Sequence, residues 1–557
     1  MVEKFLSSRW TKFLFALSVV AFAGLHISIG SIIIMVLNIP AAFVLALFLE
    51  CKYKILNKAF EIKSRKYVLI ALPVSIYTII EIMLSIYNHL IVRIIISENP
   101  LAYEIRSLLP EQIMGIGLYM FLVVAGVITF FVVFVAVYAI VSRFKRLTSM
   151  IWRGTERLER VYLVALVLIF GVFVALVYGL SPIFWGDNNL PRAGFDFIFD
   201  LDIGRNISQD ARFVSTIFVS INRLFYPLVN LPFALTARAL GRIFFFIPLA
   251  YIFFLQLFHI NLMAWSGILL ARMCNITEFS KKYFLELYTV SYSFLLFSPL
   301  EQYVLPTFCV ILLMYVCTYV PKAKYVVALT AAGTLTTSFV VFPFVAFDRK
   351  VKTWFFNLLK SVGAFVAICI LYGRLPKLYN SIHAVLEQLN AFAGGVSTEE
   401  KALQFINFVA YVFVKPETTL RYRECRTDAM GYVITYALAE PVFVNWIGVV
   451  LIALMIGGFI INRKLRFAQM SFLWAVFAFF ILFVMGWQAR NNEMFLSSFY
   501  FGWAFFSLTF LFFEKLLGKQ KIIKYSIYSV IFVAMAIINI NGMIELVQFG
   551  IEHYPAR

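Results

Sequence analysis

A polar segment at residues 182–212 carries the side chains best suited to chemistry. It separates two long apolar runs and contains five aspartates, of which Asp200 and Asp202 form an Asp-Leu-Asp sequence. Carboxylates two residues apart on an extended segment point to the same side. They can therefore share a divalent cation such as Mg²⁺ or Mn²⁺, or serve as general base and orienting group. Aspartates also solvate ordinary loops, and that structural interpretation stays open.

Aromatic and basic side chains are interleaved with these carboxylates. The aromatic ones are typical of loops held at a membrane interface: Phe184, Trp185, Phe195, Phe197 and Phe199. Arginine binds phosphate bidentately and neutralises a phosphate leaving group as its bond breaks. The candidate phosphate-binding residues are Arg192, Arg205, Arg212 and, in a later short turn, Arg490. The alternatives are ion pairs with nearby aspartates and, for Arg490, an interfacial anchor.

Two further acids stand alone in apolar surroundings. Glu301 lies in a short turn between the apolar runs 283–299 and 303–320. It is a candidate for chemistry if the Asp segment lies above it, and otherwise a solvated residue or a cap, since carboxylates favour helix N-termini. Glu81 lies within the apolar run 67–88. Acids inside a membrane are costly and usually functional or paired, but the sequence indicates no partner for Glu81.

The composition is that of a membrane protein. Of 557 residues, 62% are hydrophobic and 14% charged, whereas about a quarter of a soluble domain is charged. The net charge of +19 comes from basic residues clustered in short segments between apolar runs, as expected for cytoplasmic loops. A nucleic-acid partner is therefore not needed to explain it. The six cysteines and five histidines show no zinc-ligand spacing, and no disulfide framework is indicated.

Apolar runs of spanning length predict an all-α polytopic integral membrane protein with roughly 13 to 15 transmembrane helices. A broken, short hairpin is expected at 325–347, with its break near 333–338, and interfacial helices are expected at 213–238 and in the extracytoplasmic loops. Amphipathic stretches occur at 379–393 and 399–413. The predicted organisation has four parts: an N-terminal four-span module (1–160), a core module (161–373) with the Asp-rich outer loop 182–212, a large extracytoplasmic loop (374–440), and C-terminal helices (441–557).

The order of these features resembles the GT-C superfamily of membrane glycosyltransferases. The resemblance rests on a span followed by an outer loop with Asp196, Asp200 and Asp202, on the interfacial NRLFYPLVNLP segment, and on the helical hairpin tipped by Glu301. The 325–347 hairpin and NEMFLSSFYFGWAFF are also similar to that family. It includes protein mannosyltransferases and aminoarabinose transferases, which use polyprenyl-phosphate-linked sugars. One departure is that four spans precede the Asp loop here.

The resemblance implies inverting hexosyl or pentosyl transfer to an acceptor hydroxyl on the extracytoplasmic face. Asp200 or Asp202 would be the base, Asp196 a further acid of the site, and Glu301 an assisting group or a metal ligand together with Asp200 and Asp202. The arginines would bind the donor phosphate. The expected partners are the lipid-linked donor, a glycan, lipid or protein acceptor, and the bilayer. The expected location is a bacterial inner membrane, in cell-envelope polysaccharide biosynthesis.

Two other functions remain open. An O-antigen-type polymerase or ligase would use the 374–440 loop and its arginines Arg421, Arg423 and Arg426. A transporter or flippase would place charges along a pathway at the membrane midplane, where the sequence offers few besides Glu81.

Overall fold

The computed structural model describes most of the chain. The described residues are 8–25, 32–62, 64–95, 111–152, 154–181, 183, 224–246, 250–300, 303–347, 350–383, 387, 393–424, 430–436, 445–490 and 494–555.

Helices dominate because a chain surrounded by lipid must satisfy its backbone hydrogen bonds within each segment. The helices before residue 320 are α1 (Arg9–Leu25), α2 (Ile32–Tyr53), α3 (Ile55–Ala59), α4 (Arg65–Ile95), α5 (Glu111–Trp152), α6 (Arg157–Leu180), α7 (Tyr226–Ile243), α8 (Ala250–Met273), α9 (Glu278–Val290), α10 (Tyr292–Leu300) and α11 (Val304–Tyr319). Those that follow are α12 (Lys324–Thr334), α13 (Val341–Ala346), α14 (Val351–Leu371), α15 (Leu375–His383), α16 (Thr398–Phe413), α17 (Trp446–Ile461), α18 (Arg466–Ala478), α19 (Ser498–Leu516) and α20 (Lys521–His553).

The membrane prediction is confirmed at the level of the fold class. Within the described part of the chain, nine helices are long and apolar enough to cross a bilayer, so the protein is an all-α integral membrane protein. Predicted and observed helices agree at two of the apolar runs: the run 303–320 corresponds to α11, and the run 67–88 lies within α4. The total of 13 to 15 spans stays a prediction.

The expected break in the short hairpin at 325–347 is also observed. Helix α12 ends at Thr334, and Leu335 adopts an extended backbone. A 3₁₀ helix follows, and α13 then begins at Val341.

The chain divides into two compact units. Unit 1 comprises Met1–Thr155, Arg212–Leu235 and Ala332–His383, and unit 2 comprises Glu156–Ala211, Thr236–Ala331 and Ala384–Arg557. Unit 1 therefore joins the N-terminal helices to two segments far along the chain. This division into two units does not test the predicted four-part organisation, which stays a prediction.

Unit 1 has a packed apolar interior, and a hydrogen-bonded arginine connects the end of α3 to α5. Apolar side chains of α1, α2, α3 and α5 form one core cluster around Phe15 and Leu56. The carbonyls of Lys58 and Ala59, at the end of α3, accept hydrogen bonds from the guanidinium of Arg143 on α5. A cation at a helix C-terminus is favourable because the helix dipole is negative there.

In unit 2, hydrogen bonds bring the basic ends of the helices together. Tyr319 at the end of α11 donates to the carbonyl of Arg272 at the end of α8, and Asn462 after α17 donates to the carbonyl of Leu511 on α19. We call this side of unit 2 the basic end. The basic residues of its helix ends and loops are Arg157, Arg160, Arg272, Lys281, Lys282, Lys322, Lys324, Arg463, Lys464, Arg466, Lys515, Lys519, Lys521 and Lys524. The positive-inside rule predicts that this end is cytoplasmic.

A β-hairpin follows α16. Strands β1 (Thr418–Glu424) and β2 (Met430–Tyr436) pair antiparallel, with Tyr422 opposite Tyr432. The ring of Tyr432 stacks on His553 of α20 at 4.3 Å, and the hydroxyl of Tyr554 donates to the carbonyl of Tyr432. The hairpin is therefore fixed to the C-terminal end of α20.

Candidate active site

Most of the predicted site lies outside the described residues. This applies to Arg192, Asp196, Asp200, Asp202, Arg205, Arg212 and Glu301. Their roles, and the cation site on Asp200, Asp202 and Glu301, stay predictions. Among the described residues, no group of three or more His, Cys, Asp or Glu side chains is placed to hold a metal. Of the predicted residues only Arg490 is described, and it is exposed in a turn after the π-helix Phe479–Val484.

The length of α20 gives the distance from the basic end to the opposite side of unit 2. Lys524 lies at the basic end, and Glu545 lies 21 residues further along α20. At 1.5 Å per residue this is about 31 Å, close to the ~30 Å thickness of a hydrocarbon core. We call the region around Glu545 the far end. By the positive-inside rule it is the predicted extracytoplasmic side.

Helix α16 is buried in the interior of unit 2. It begins at Ser397, whose hydroxyl accepts from the amide of Glu400 as an N-cap. Every residue from Leu403 to Phe413 except Ile406 is buried. At its crossing with α17, a side chain in place of Gly448 would put its Cβ 2.2 Å from the carbonyl oxygen of Ile406. Glycine is required there because the two backbones touch.

One stripe of α16 is polar although it is buried. Gln404, Asn407 and Tyr411 are spaced i, i+3, i+7, which places them on one face. The amide of Gln404 donates to the carbonyl of Ala489 at 3.0 Å, and the ring of Tyr411 lies 5.7 Å from that of Phe495. The stripe therefore faces residues 486–490 and 494–497, a range that includes Arg490. The amphipathic pattern of residues 399–413 is visible in the sequence, but it does not distinguish these three residues from the rest of the helix.

Asn407 is the unusual member of this stripe. It is 2% exposed, and neither amide atom has a hydrogen-bond partner among the described residues. A buried amide without a partner costs about 1–3 kcal/mol. Such a group is what a binding site provides for a polar ligand.

Asn539 on α20 differs from Asn407, because both atoms of its side-chain amide form hydrogen bonds. Its Nδ2 donates to the carbonyls of Val290 and Phe413, and its Oδ1 accepts from the amide of Lys415. Those groups are free because α9 and α16 both end there. Asn539 thus joins the break between α9 and α10 to the end of α16.

Tyr292 connects the α16 stripe to the charged residues of the far end. Its fully buried ring stacks on Phe495 at 6.1 Å. A Cβ at Gly542 would lie 2.8 Å from Lys415 Cδ and 3.1 Å from Tyr292, so Gly542 lets both side chains pack closely against α20. Lys415 forms an ion pair with Glu545, to which Asn541 also donates. We call Tyr292, Asn407, Tyr411, Lys415 and Glu545 the far-end cluster.

At the basic end, by contrast, buried charges neutralise one another. Glu159, which is fully buried, accepts from Arg272 Nε at 2.9 Å and lies 3.4 Å from Lys281 Nζ. Lys281 also pairs with Glu156 at 2.6 Å. This network holds α6, α8 and α9 together.

A second ionic group lies beside it. Glu514 at the end of α19 accepts from Lys524 Nζ at 2.8 Å, from Ser280 Oγ at 3.0 Å and from the hydroxyl of Tyr528. No carboxylate of either group is left for chemistry. In unit 1, Glu81 lies within α4 and is fully buried.

No family model, curated protein or solved structure matches the chain. The class that the structure defines is an all-α integral membrane protein with a buried polar helix at one end of its second unit.

Proposed function

We propose that this protein is a membrane glycosyltransferase that moves a sugar from a polyprenyl-phosphate carrier to an acceptor hydroxyl at the far end of unit 2. The far-end cluster is the observation that supports this most. It places the amide of Asn407, which has no hydrogen-bond partner among the described residues, and two tyrosines in the interior of unit 2. The exposed Arg490 directly follows Ala489, whose carbonyl accepts from Gln404 on the same stripe of α16. Among the described residues of the basic end, no buried amide or charged side chain lacks a hydrogen-bond partner, and only neutral hydroxyl groups do.

The depth of the far-end cluster suits this donor. A polyprenyl phosphate keeps its chain in the hydrocarbon and its phosphate at the interface. The Lys415–Glu545 pair lies about one hydrocarbon thickness from the basic end. A sugar phosphate at that level would lie within reach of a basic side chain and of buried polar groups. Arginine at such a position neutralises the leaving phosphate.

The reaction assigns its main roles to residues named from the sequence. Asp200 or Asp202 takes the proton of the acceptor hydroxyl as the acceptor oxygen attacks the anomeric carbon, and Asp196 and Glu301 assist. The bond to phosphate breaks with inversion, and the arginines stabilise the departing phosphate. Mg²⁺ or Mn²⁺ would supply additional charge neutralisation if Asp200, Asp202 and Glu301 bind it. Transfer that survives chelation by EDTA would exclude that cation.

The test is sugar release from lipid carriers. The protein is reconstituted in nanodiscs with undecaprenyl-phosphate sugars carrying a radiolabel, and the label leaving the lipid fraction is measured with a membrane extract as acceptor. Replacing Asp200 and Asp202 together by Asn should lower the rate roughly 10²- to 10⁴-fold, the range for loss of a general base. The matched control replaces Asp187 and Asp210 by Asn, which removes the same charge from the same loop. Full activity of the first variant would refute the assignment.

The same material separates the two other functions. An O-antigen-type polymerase or ligase would lose activity when Arg421, Arg423 and Arg426 are replaced by Ala and would tolerate the Asp variants. A flippase would move intact labelled lipid across a vesicle membrane without releasing sugar. Either result would replace the glycosyltransferase proposal.

A further inference from the structure

A groove of about 930 Å³ opens at the basic end of unit 2. One wall is the loop Cys274–Thr277 between α8 and α9, and another is the loop at the end of α17, residues 460–465. The end of α19 completes it with Leu511, Glu514 and Lys515. None of these residues belongs to the far-end cluster.

Part of the groove lining is apolar. It comprises Ile276, Leu465 and Leu511, together with Ile460 and Ile461 at the end of α17. Ile460 is 58% exposed and Ile461 is 42% exposed. Exposed isoleucines at the end of an apolar helix are stable where lipid chains cover them.

The groove lining is also cationic. Arg463, Lys464 and Lys515 line it, all three are exposed, and no ion pair involves them among the described residues. Arg466, which follows closely at the start of α18, is also exposed. Three basic side chains therefore line the groove with no ion-pair partner in the described part of the chain.

The acidic and thiol groups of the groove do not cancel this charge. Glu514 is already held by Lys524, Ser280 and Tyr528. Burial and the negative charge of Glu514 raise the pKa of the Cys274 thiol, so it stays neutral.

We propose that this groove binds the headgroup of an anionic phospholipid, with the acyl chains along Ile460 and Ile461. Basic pockets between transmembrane helices at the cytoplasmic side attract anionic headgroups. The apolar wall favours a lipid over a soluble phosphate, because a soluble anion would leave the isoleucines uncovered. The volume lies within the usual range for a ligand pocket. This lipid-binding proposal does not depend on the proposed function, and it would hold equally if the protein were not an enzyme.

The test is native mass spectrometry of the full chain titrated with phosphatidylglycerol. The groove variant combines Arg463→Gln, Lys464→Gln and Lys515→Gln. The matched control combines Lys322→Gln, Lys519→Gln and Lys521→Gln, which removes equal charge from exposed positions of the same end that do not line the groove. We expect the groove variant to bind phosphatidylglycerol roughly fivefold more weakly per lost charge, or on the order of 100-fold in total. The control should bind nearly as the native chain does.

Three results would overturn the proposal. Equal losses in both variants would indicate attraction to the whole basic end. Equal binding of phosphatidylcholine would show that the charges do not select the lipid. Displacement of phosphatidylglycerol by inorganic phosphate at comparable concentration would identify a phosphate site.

A second variant keeps the basic residues of the groove and fills its volume with a larger side chain. Leu465→Trp places a large side chain in the groove, while Leu473→Trp places the same side chain on an exposed position of α18. Only the first should lose the bound phosphatidylglycerol. Retention of the lipid by Leu465→Trp, in a variant whose unfolding transition is native-like, would contradict the proposed place of binding.

Discussion

At the basic end of unit 2 the buried carboxylate of Glu159 is held by two cations, whereas at the far end the buried amide of Asn407 has no polar partner in the described chain. Both side chains cost free energy to bury. The first recovers it through neighbours that link three helices, and the second does not. Ion pairs therefore stabilise the basic end, whereas the far end contains a buried amide that no described residue satisfies.

The largest expected effect is at Glu159. Glu159→Ala removes the buried counter-charge of Arg272 and leaves Lys281 paired only with the half-exposed Glu156, and breaking a buried pair in this way costs about 3–5 kcal/mol. We expect a sharply lower unfolding midpoint in an SDS titration and a lower yield of folded protein. The control is Glu286→Ala, whose i,i+4 partner Lys282 is exposed. That pair should contribute less than about 0.5 kcal/mol. Similar losses in both variants would contradict a structural role for the buried network.

The second largest loss of stability is expected on replacing Asn539. Asn539→Leu keeps the volume but leaves the carbonyls of Val290 and Phe413 and the amide of Lys415 without their partner. We expect a loss of roughly 2 kcal/mol, since interhelical hydrogen bonds in membranes contribute less than unsatisfied groups in a soluble core would suggest. The same titration measures it, with Asn541→Leu on the exposed face of α20 as control. A native-like midpoint for Asn539→Leu would show that α9 and α16 do not depend on this link.

Asn407 tests the comparison most directly. Asn407→Leu removes a buried amide that has no described partner, so stability should be unchanged or rise by about 1 kcal/mol. Sugar release should nevertheless fall, because a polar contact is lost at the proposed site. The combination of retained stability and reduced transfer is the expected outcome. A large loss of stability would place Asn407 among the structural residues, and unchanged transfer would remove it from the site.

The smallest expected effect concerns the pair of Lys415 and Glu545. Both side chains are partly exposed, 24% and 31%, so a double-mutant cycle with Lys415→Gln and Glu545→Gln should give a coupling of about 0.5 kcal/mol or less. If transfer activity falls much more than stability does, the pair acts in the site. A coupling near that of Glu159 with Arg272 would remove the contrast between the two ends.

The sequence predicted the spanning helices well because each depends mainly on its own composition. A run such as 303–320 is apolar enough to require a helix wherever it lies, and α11 occupies nearly the same residues. The break near 333–338 was also predictable, since glycine and hydroxyl residues interrupt the apolar run. The hairpin of β1 and β2 was not predicted. Its strands depend on pairing with each other and on the contact of Tyr432 with α20.

By itself, then, the sequence determined that this is a membrane protein of long helices with a concentration of positive charge in its short loops. Those properties follow from hydropathy and charge, which are local. The tertiary structure alone decided that α16 is buried, that Asn539 joins three chain segments, and that the stripe of Asn407 faces residues 486–490 and 494–497. These facts depend on residues at least 40 positions apart, such as Ile406 and Gly448, and local composition carries no information about which distant groups meet.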